Sequence, residues 1–470
     1  MTLWPYIKHP IQGIAILGLN NFEELMTVAR FRQTGIDFSI GTLNFLANVG
    51  IMLPYILILL RYQQTQSTTF LIALVAFYIS RAASIFYTKR LDLKSTTYLL
   101  VTLILGALGS LLFALSSSVG WLIIGSLLWG YSAATIWPYF LTIKLHLTHT
   151  TSFKMKRLYW LVFALLGIML AIDLSLGLSY TLTFSVLALL YLGAIPGGVL
   201  LGNFVNDFYQ HRSHKIHRLH HIWRWLLSLI GFAGIAVLTT LRKAHLNLPS
   251  WVTLTIIAIA LIVFSIELYS DRHVLPDYKM RLLNRGFLIS FVLLFNSFFA
   301  YFYWGSIGMY LVFGLYLLGF ESGYAVFQVL AKHQTALAQR LSQGSLIAGH
   351  LLLLIPWRLS YLVALLLITL YIGYDNPTIN TTLYEATDID HDLAIVHKYR
   401  FSTYGGLLGQ LTMFGLLVAV SAIMAQPLLA FFSPTNADHF WMYNVALNWP
   451  LILISLGISL GNIRHEPQHI

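Results

Sequence analysis

Runs of about twenty apolar residues, separated by short polar segments, recur along the whole chain. A helix needs about 20 such residues to cross the hydrocarbon core of a bilayer. The pattern predicts spans near 39–60, 69–88, 97–115, 119–143, 158–175 and 179–201, then 222–241 and 251–268, then 285–303, 306–331, 343–357, 359–386, 402–426 and 440–461. The segment PIQGIAILGLNNFEELMTVARFRQTGIDF (10–38) carries Glu23, Glu24, Arg30 and Arg32. It reads as amphipathic, lying on the cytoplasmic face. The expected fold is an all-α polytopic membrane protein. Its parts are a cytoplasmic amphipathic segment (1–38), a six-helix bundle (39–201), a basic linker with two extra transmembrane helices (202–284), a second six-helix bundle (285–461) and a cytoplasmic tail (462–470).

Composition agrees. Of 470 residues, 58% are hydrophobic and 10% charged, against about 25% charged in soluble domains. The net charge of +11 would suggest nucleic acid in a soluble protein, but here it follows the spans. With a cytoplasmic N-terminus, 23 of the 28 Lys and Arg fall on inside segments and four (Arg61, Arg242, Lys243, Arg358) on outside ones; Arg81 lies within a span. This bias predicts a multi-pass cell-membrane protein with both termini cytoplasmic, and no nucleic-acid partner. The absence of cysteine excludes disulfides, thiol chemistry and zinc–thiolate sites.

The two six-span blocks repeat. A shift of 243 residues places Gly130-Tyr131 on Gly373-Tyr374, and Tyr87-Thr88-Lys89-Arg90 on Leu330-Ala331-Lys332-His333. Two blocks in the same orientation imply bundles related by a pseudo-twofold axis normal to the membrane.

In this arrangement residues 39–461 resemble the major facilitator superfamily of secondary transporters, in its fourteen-helix form. The basic cluster of SRAASIFYTKRLDLK (Lys89, Arg90, Lys94) matches the family's loop after span 2, without its Gly and Asp-Arg pair. Span 5, LVFALLGIMLAIDLSLG, lacks the Gly-Pro-Gly-Gly motif of drug–proton antiporters; GAIPGG lies in span 6 instead. These departures weaken a drug-exporter assignment more than the fold. The resemblance implies that spans 1, 4, 7 and 10 line a central cavity and that spans 2 and 8 flank the interface between halves.

An ionisable group inside a span is a functional candidate by default. Asp375 stands in GYDNPTIN (373–380). Either span 10 continues through this stretch to about Glu385, or it ends at Gly373 and GYDNPTIN opens a cytoplasmic loop. In the first case Asp375 is a proton- or cation-binding carboxylate. Asn376 and Asn380, one turn apart, then contact polar substrate, and Pro377 kinks the helix. Glu321 lies well inside span 8 as a second proton-coupling candidate. Arg81 in span 2 either pairs with it across the interface, attracts an anionic substrate group, or snorkels to the headgroups.

Softer candidates for substrate contact are Asn44 and Asn48 in span 1, Tyr131 and Thr135 in span 4, and Asn296 in span 7. Helix–helix packing accounts for such residues equally well. Asp173 reads as interfacial or as an outer gate, and His350 as a neutral hydrogen-bonded histidine. The tract HRSHKIHRLHHIWRW (His211, His214, His217, His220, His221) reads as a basic linker on anionic lipid before it reads as a metal or pH site.

No nucleophile motif, nucleotide loop or metal-ligand pair is present, and no cofactor is implied. The pattern points to a proton-coupled secondary transporter that works by alternating access on an amphiphilic or lipid-linked small molecule. The alternative is a polytopic enzyme or assembly factor for cell-envelope glycans, with Asp438 and His439 as its outer-face polar residues.

Overall fold

The computed structural model describes residues 20–50, 67–88, 93–150, 159–176, 180–210, 278–386, 391–424 and 440–465, with scattered positions within 53–61 and 233–266. The two extra central spans fall almost wholly outside these residues. So do the histidine tract, Asp438 and His439.

Twelve helical segments follow in chain order. In the first bundle they are α1 (Asn20–Val49), α2 (Thr68–Thr88), α3 (Ser95–Leu115), α4 (Val119–Thr150), α5 (Tyr159–Ser175) and α6 (Thr181–Gln210). In the second, α7 joins Lys279–Ser290, a π-helical turn Phe291–Asn296, Ser297–Phe299 and Tyr301–Trp304. Then come α8 (Ser306–Leu330), α9 (Thr335–Leu353), α10 (Arg358–Glu385) and α11 (His391–Met424). Finally α12 joins Phe440–Tyr443, a π turn Asn444–Asn448 and Trp449–His465. Among the described residues, eight helices are long and apolar enough to cross a membrane. The chain is an all-α polytopic membrane protein.

Several helices overrun their hydropathy limits. A hydropathy window detects only the part of a helix that lies in lipid, whereas the backbone hydrogen-bond ladder continues into polar sequence. α1 starts at Asn20, so the polar stretch before residue 39 belongs to the same helix, and the boundary expected at 38/39 falls inside it. The span expected over 39–60 is interrupted, because α1 ends in a turn at Gly50. α7 begins at Lys279 and α11 at His391, earlier than the apolar runs at 285 and 402. Arg281, Lys398 and Arg400 therefore stand on helices, not in loops.

GYDNPTIN lies within α10, which runs unbroken to Glu385 with Pro377 inside it. Of the two placements open to it, the chain adopts the continuous span.

The repeat is visible in the packing. α2 and α3 pack on α4, α3 and α1 on α6, and α5 on α1; likewise α8 and α9 pack on α10, α9 and α7 on α12, and α11 on α7. Each of these pairings in the first bundle thus has its counterpart in the second. The agreement reaches single atoms. A Cβ added at Gly130 of α4 would lie 2.5 Å from the carbonyl oxygen of Phe77 on α2. One added at Gly373 of α10 would lie 2.6 Å from the carbonyl oxygen of Phe320 on α8. The 243-residue shift carries Gly130 to Gly373 and Phe77 to Phe320. Only glycine lets two helix backbones approach this closely.

Candidate functional site

The polar residues of α10 meet those of α7 and α11 inside the second bundle. Arg281 and Arg285 are four apart on α7 and share one face. Arg281 Nε donates to Asp375 Oδ1 at 2.6 Å, and Arg285 Nη1 lies 3.8 Å from Asp375 Oδ2. Asn376, the next residue of α10, and Asn380, one turn further on, both face Lys398 of α11. Lys398 Nζ donates to Asn376 Oδ1 at 2.8 Å, to the Asn376 carbonyl at 3.4 Å and to Asn380 Oδ1. Arg285, Asp375, Asn380 and Lys398 are all buried. Pro377 supplies no N–H to the turn before it.

A second polar cluster joins the two bundles. Asp392, in the first turn of α11, accepts a hydrogen bond from the Ser95 backbone N–H at 3.0 Å. That N–H is one of the donors left without an intrahelical partner at the start of α3. The other Asp392 oxygen lies 3.2 Å from His146 Nε2 on α4. His146 Nδ1 meets the Tyr384 hydroxyl of α10 at 2.5 Å, and the His149 ring stacks on Tyr384 with centroids 4.8 Å apart. These contacts lie at the end of the bundle that carries the basic segments.

The remaining candidates are dispersed. Glu321 is exposed on α8 and, among the described residues, has no polar partner. The Arg81–Glu321 pair is therefore not formed: Arg81 stands half-buried on α2. Asn48 turns back on its own helix, donating to the Asn44 carbonyl at 2.7 Å. Thr135 is buried between the Tyr131 carbonyl and Thr102 Oγ1, each at 2.7 Å. Asn296 donates to the Phe291 carbonyl inside the π turn of α7 and accepts from the Tyr361 hydroxyl of α10, each at 2.8 Å. Thr135 and Asn296 therefore spend their polar atoms on helix contacts.

Asp173 is no gate. It is buried at the end of α5 and caps the next helix, accepting from Leu182 N at 3.2 Å, Thr183 N at 2.7 Å and Thr183 Oγ1 at 2.6 Å. His350 bridges the Leu346 carbonyl and Ser455 Oγ of α12, each at 2.8 Å.

Sequence reasoning missed Arg281, Arg285, Lys398, His146 and Asp392, because all lie where hydropathy falls off at the helix ends. The four-residue spacing of Arg281 and Arg285 was the available signal.

No protein-family profile and no curated protein matches the sequence. Among solved structures, the chain is similar to the nucleoside transporter NupG (13% identity, TM-score 0.40, covering 92% of this chain and 99% of that one). It is also similar to a peptide transporter POT in complex with sulfate (14%, TM-score 0.47, 92% and 95%). A third is a POT family transporter in complex with 5-aminolevulinic acid (13%, TM-score 0.45, 93% and 96%). The protein is an all-α polytopic membrane protein, and these solved structures to which it is similar are transporters.

Proposed function

We propose that this protein is a secondary active transporter that works by alternating access. One observation carries the reading. Two six-helix bundles with equivalent internal packing meet where α11 packs on α4 and α2, and a cluster of breakable polar contacts around Asp392 lies at one end of that interface. Breaking those contacts would open the basic end of the interface while leaving each bundle intact.

Coupling to protons falls to Glu321 and Asp375. Glu321 offers a carboxylate within a span and without a partner. Protonating Asp375 would weaken its pair with Arg281 and loosen α7 from α10. Asn44, Asn48 and Tyr131 of the first bundle, with Asn376 and Asn380 of the second, are the proposed substrate contacts. The aromatic-rich, charge-poor composition of the spans is what favours an amphiphilic or lipid-linked substrate. The alternation of basic segments supports a cell-membrane location with both termini cytoplasmic.

The test is proton uptake into proteoliposomes that contain a pH-sensitive dye and are challenged with a panel of candidate solutes. Solute-dependent uptake is expected in the unmodified protein and its loss in Glu321→Gln or Asp375→Asn. Unchanged uptake in both variants would sink the coupling assignment.

A further inference from the structure

Among the described residues, Asp375 stands beside two arginines and a lysine inside the second bundle. Asp375 gives its nearer oxygen to Arg281 at 2.6 Å, leaving Arg285 at 3.8 Å. The Arg285 side chain is 6% exposed, yet its Nε and Nη1 have no hydrogen-bond partner among the described residues. Lys398 is fully buried, and its partners are the neutral oxygens of Asn376 and Asn380. It sits within electrostatic reach of Arg285, Arg281 and Asp375. A buried charge without a counter-charge is strongly unfavourable, and the cost is greater inside a bilayer.

We propose that Arg285 and Lys398, with the amides of Asn376 and Asn380, form a binding site for a phosphate group. The planar fork of Arg285 suits a tetrahedral oxyanion through two parallel N–H donors, and Lys398 adds a point charge. Charge matching chooses phosphate over carboxylate. A phosphate monoester, with about −1.5 to −2 at pH 7, can hold both the Arg285 guanidinium and a protonated Lys398, which a carboxylate cannot match. Asp375 borders the site and holds Arg281 back from it. The anion's role as cargo rests on the transporter reading; its binding does not.

A free phosphate and a lipid phosphate share this chemistry. The test uses the full chain in nanodiscs, with thermal unfolding followed against inorganic phosphate at constant ionic strength. In discs of phosphatidylcholine alone, a saturable rise in Tm assigns a free anion. A rise that appears only when phosphatidic acid is added to the disc assigns a lipid phosphate. Arg285→Gln and Lys398→Gln should each weaken the apparent affinity at least tenfold, and Arg285→Lys, which keeps the charge and loses the fork, should fall between. Asp375→Asn, which removes the competing negative charge, should tighten binding severalfold; this variant guards against loss through misfolding. Arg340→Gln, at an exposed position on α9, should bind as the unmodified protein does. No rise in either disc, or an unchanged affinity in Arg285→Gln, overturns the site. Saturable binding without phosphate movement in proteoliposomes keeps the site and refutes the anion's role as cargo. Proton-coupled transport of another solute without phosphate binding overturns the site and keeps the transporter reading.

Discussion

Replacing Asp392 with Ala removes two inter-bundle contacts of the carboxylate, to Ser95 N at 3.0 Å and to His146 Nε2 at 3.2 Å. The Ser95 donor is backbone, so no other side chain inherits the bond. Hydrogen bonds to a charged group contribute about 1.5–3 kcal/mol. A net loss of about 2 kcal/mol corresponds to roughly a thirtyfold change in an equilibrium constant. If the basic end is open about 1% of the time, that change raises the open share to about a quarter. The chain contains no cysteine, so a single reporter needs no background removal. Ala134, half-buried on α4 three turns in from His146, is a suitable site for Ala134→Cys. Labelling by a membrane-impermeant maleimide applied from the basic side should accelerate roughly twentyfold in Asp392→Ala, in proportion to that open share. His146→Ala should accelerate it less, and the double variant should fall short of the product because the two residues share one contact. A labelling rate unchanged by Asp392→Ala, with the reporter reactive after denaturation, would refute the view that Asp392 holds this end shut.

Other expectations follow from the packing. Gly373→Val forces side-chain atoms into the α8 backbone and should cost about 1–3 kcal/mol, read as a lower unfolding midpoint; Gly344→Ala, with open space around it, should leave the midpoint unchanged. Asp173→Ala strips two backbone donors and the Thr183 hydroxyl of their acceptor and should destabilise by about 2–3 kcal/mol, measurable by thermal unfolding in detergent.

Most of the fold was legible in the hydropathy, because lipid forces each span to be a continuous apolar helix. That α10 continues through GYDNPTIN was legible through the repeat, which sets Gly373 on Gly130, and the close approach of Gly373 to Phe320 matches that of Gly130 to Phe77. The charges around Asp375 were not legible in the same way. Arg281 and Lys398 follow polar sequence, so a hydropathy window assigns them to loops. Their burial depends on α7, α10 and α11 overrunning the apolar core together, a tertiary fact. The Asp392–Ser95 contact joins residues 297 positions apart, and no local pattern encodes it. Asp173, read from its place near a span end as interfacial or an outer gate, has as its partners the N–H groups of the next helix ten residues on, which no span-end pattern reveals.

The close crossings at Gly130 and Gly373 have a mechanical consequence. Where two helices meet backbone to backbone, no side-chain layer lies between them to act as a bearing, so sliding one past the other is resisted at once. α2 with α4, and α8 with α10, are thereby braced against sliding, so that in the proposed rocking each half would move as a stiff beam. Asp392 then fastens the tips of two beams, where leverage is greatest. One carboxylate at that position can restrain a displacement of the whole molecule.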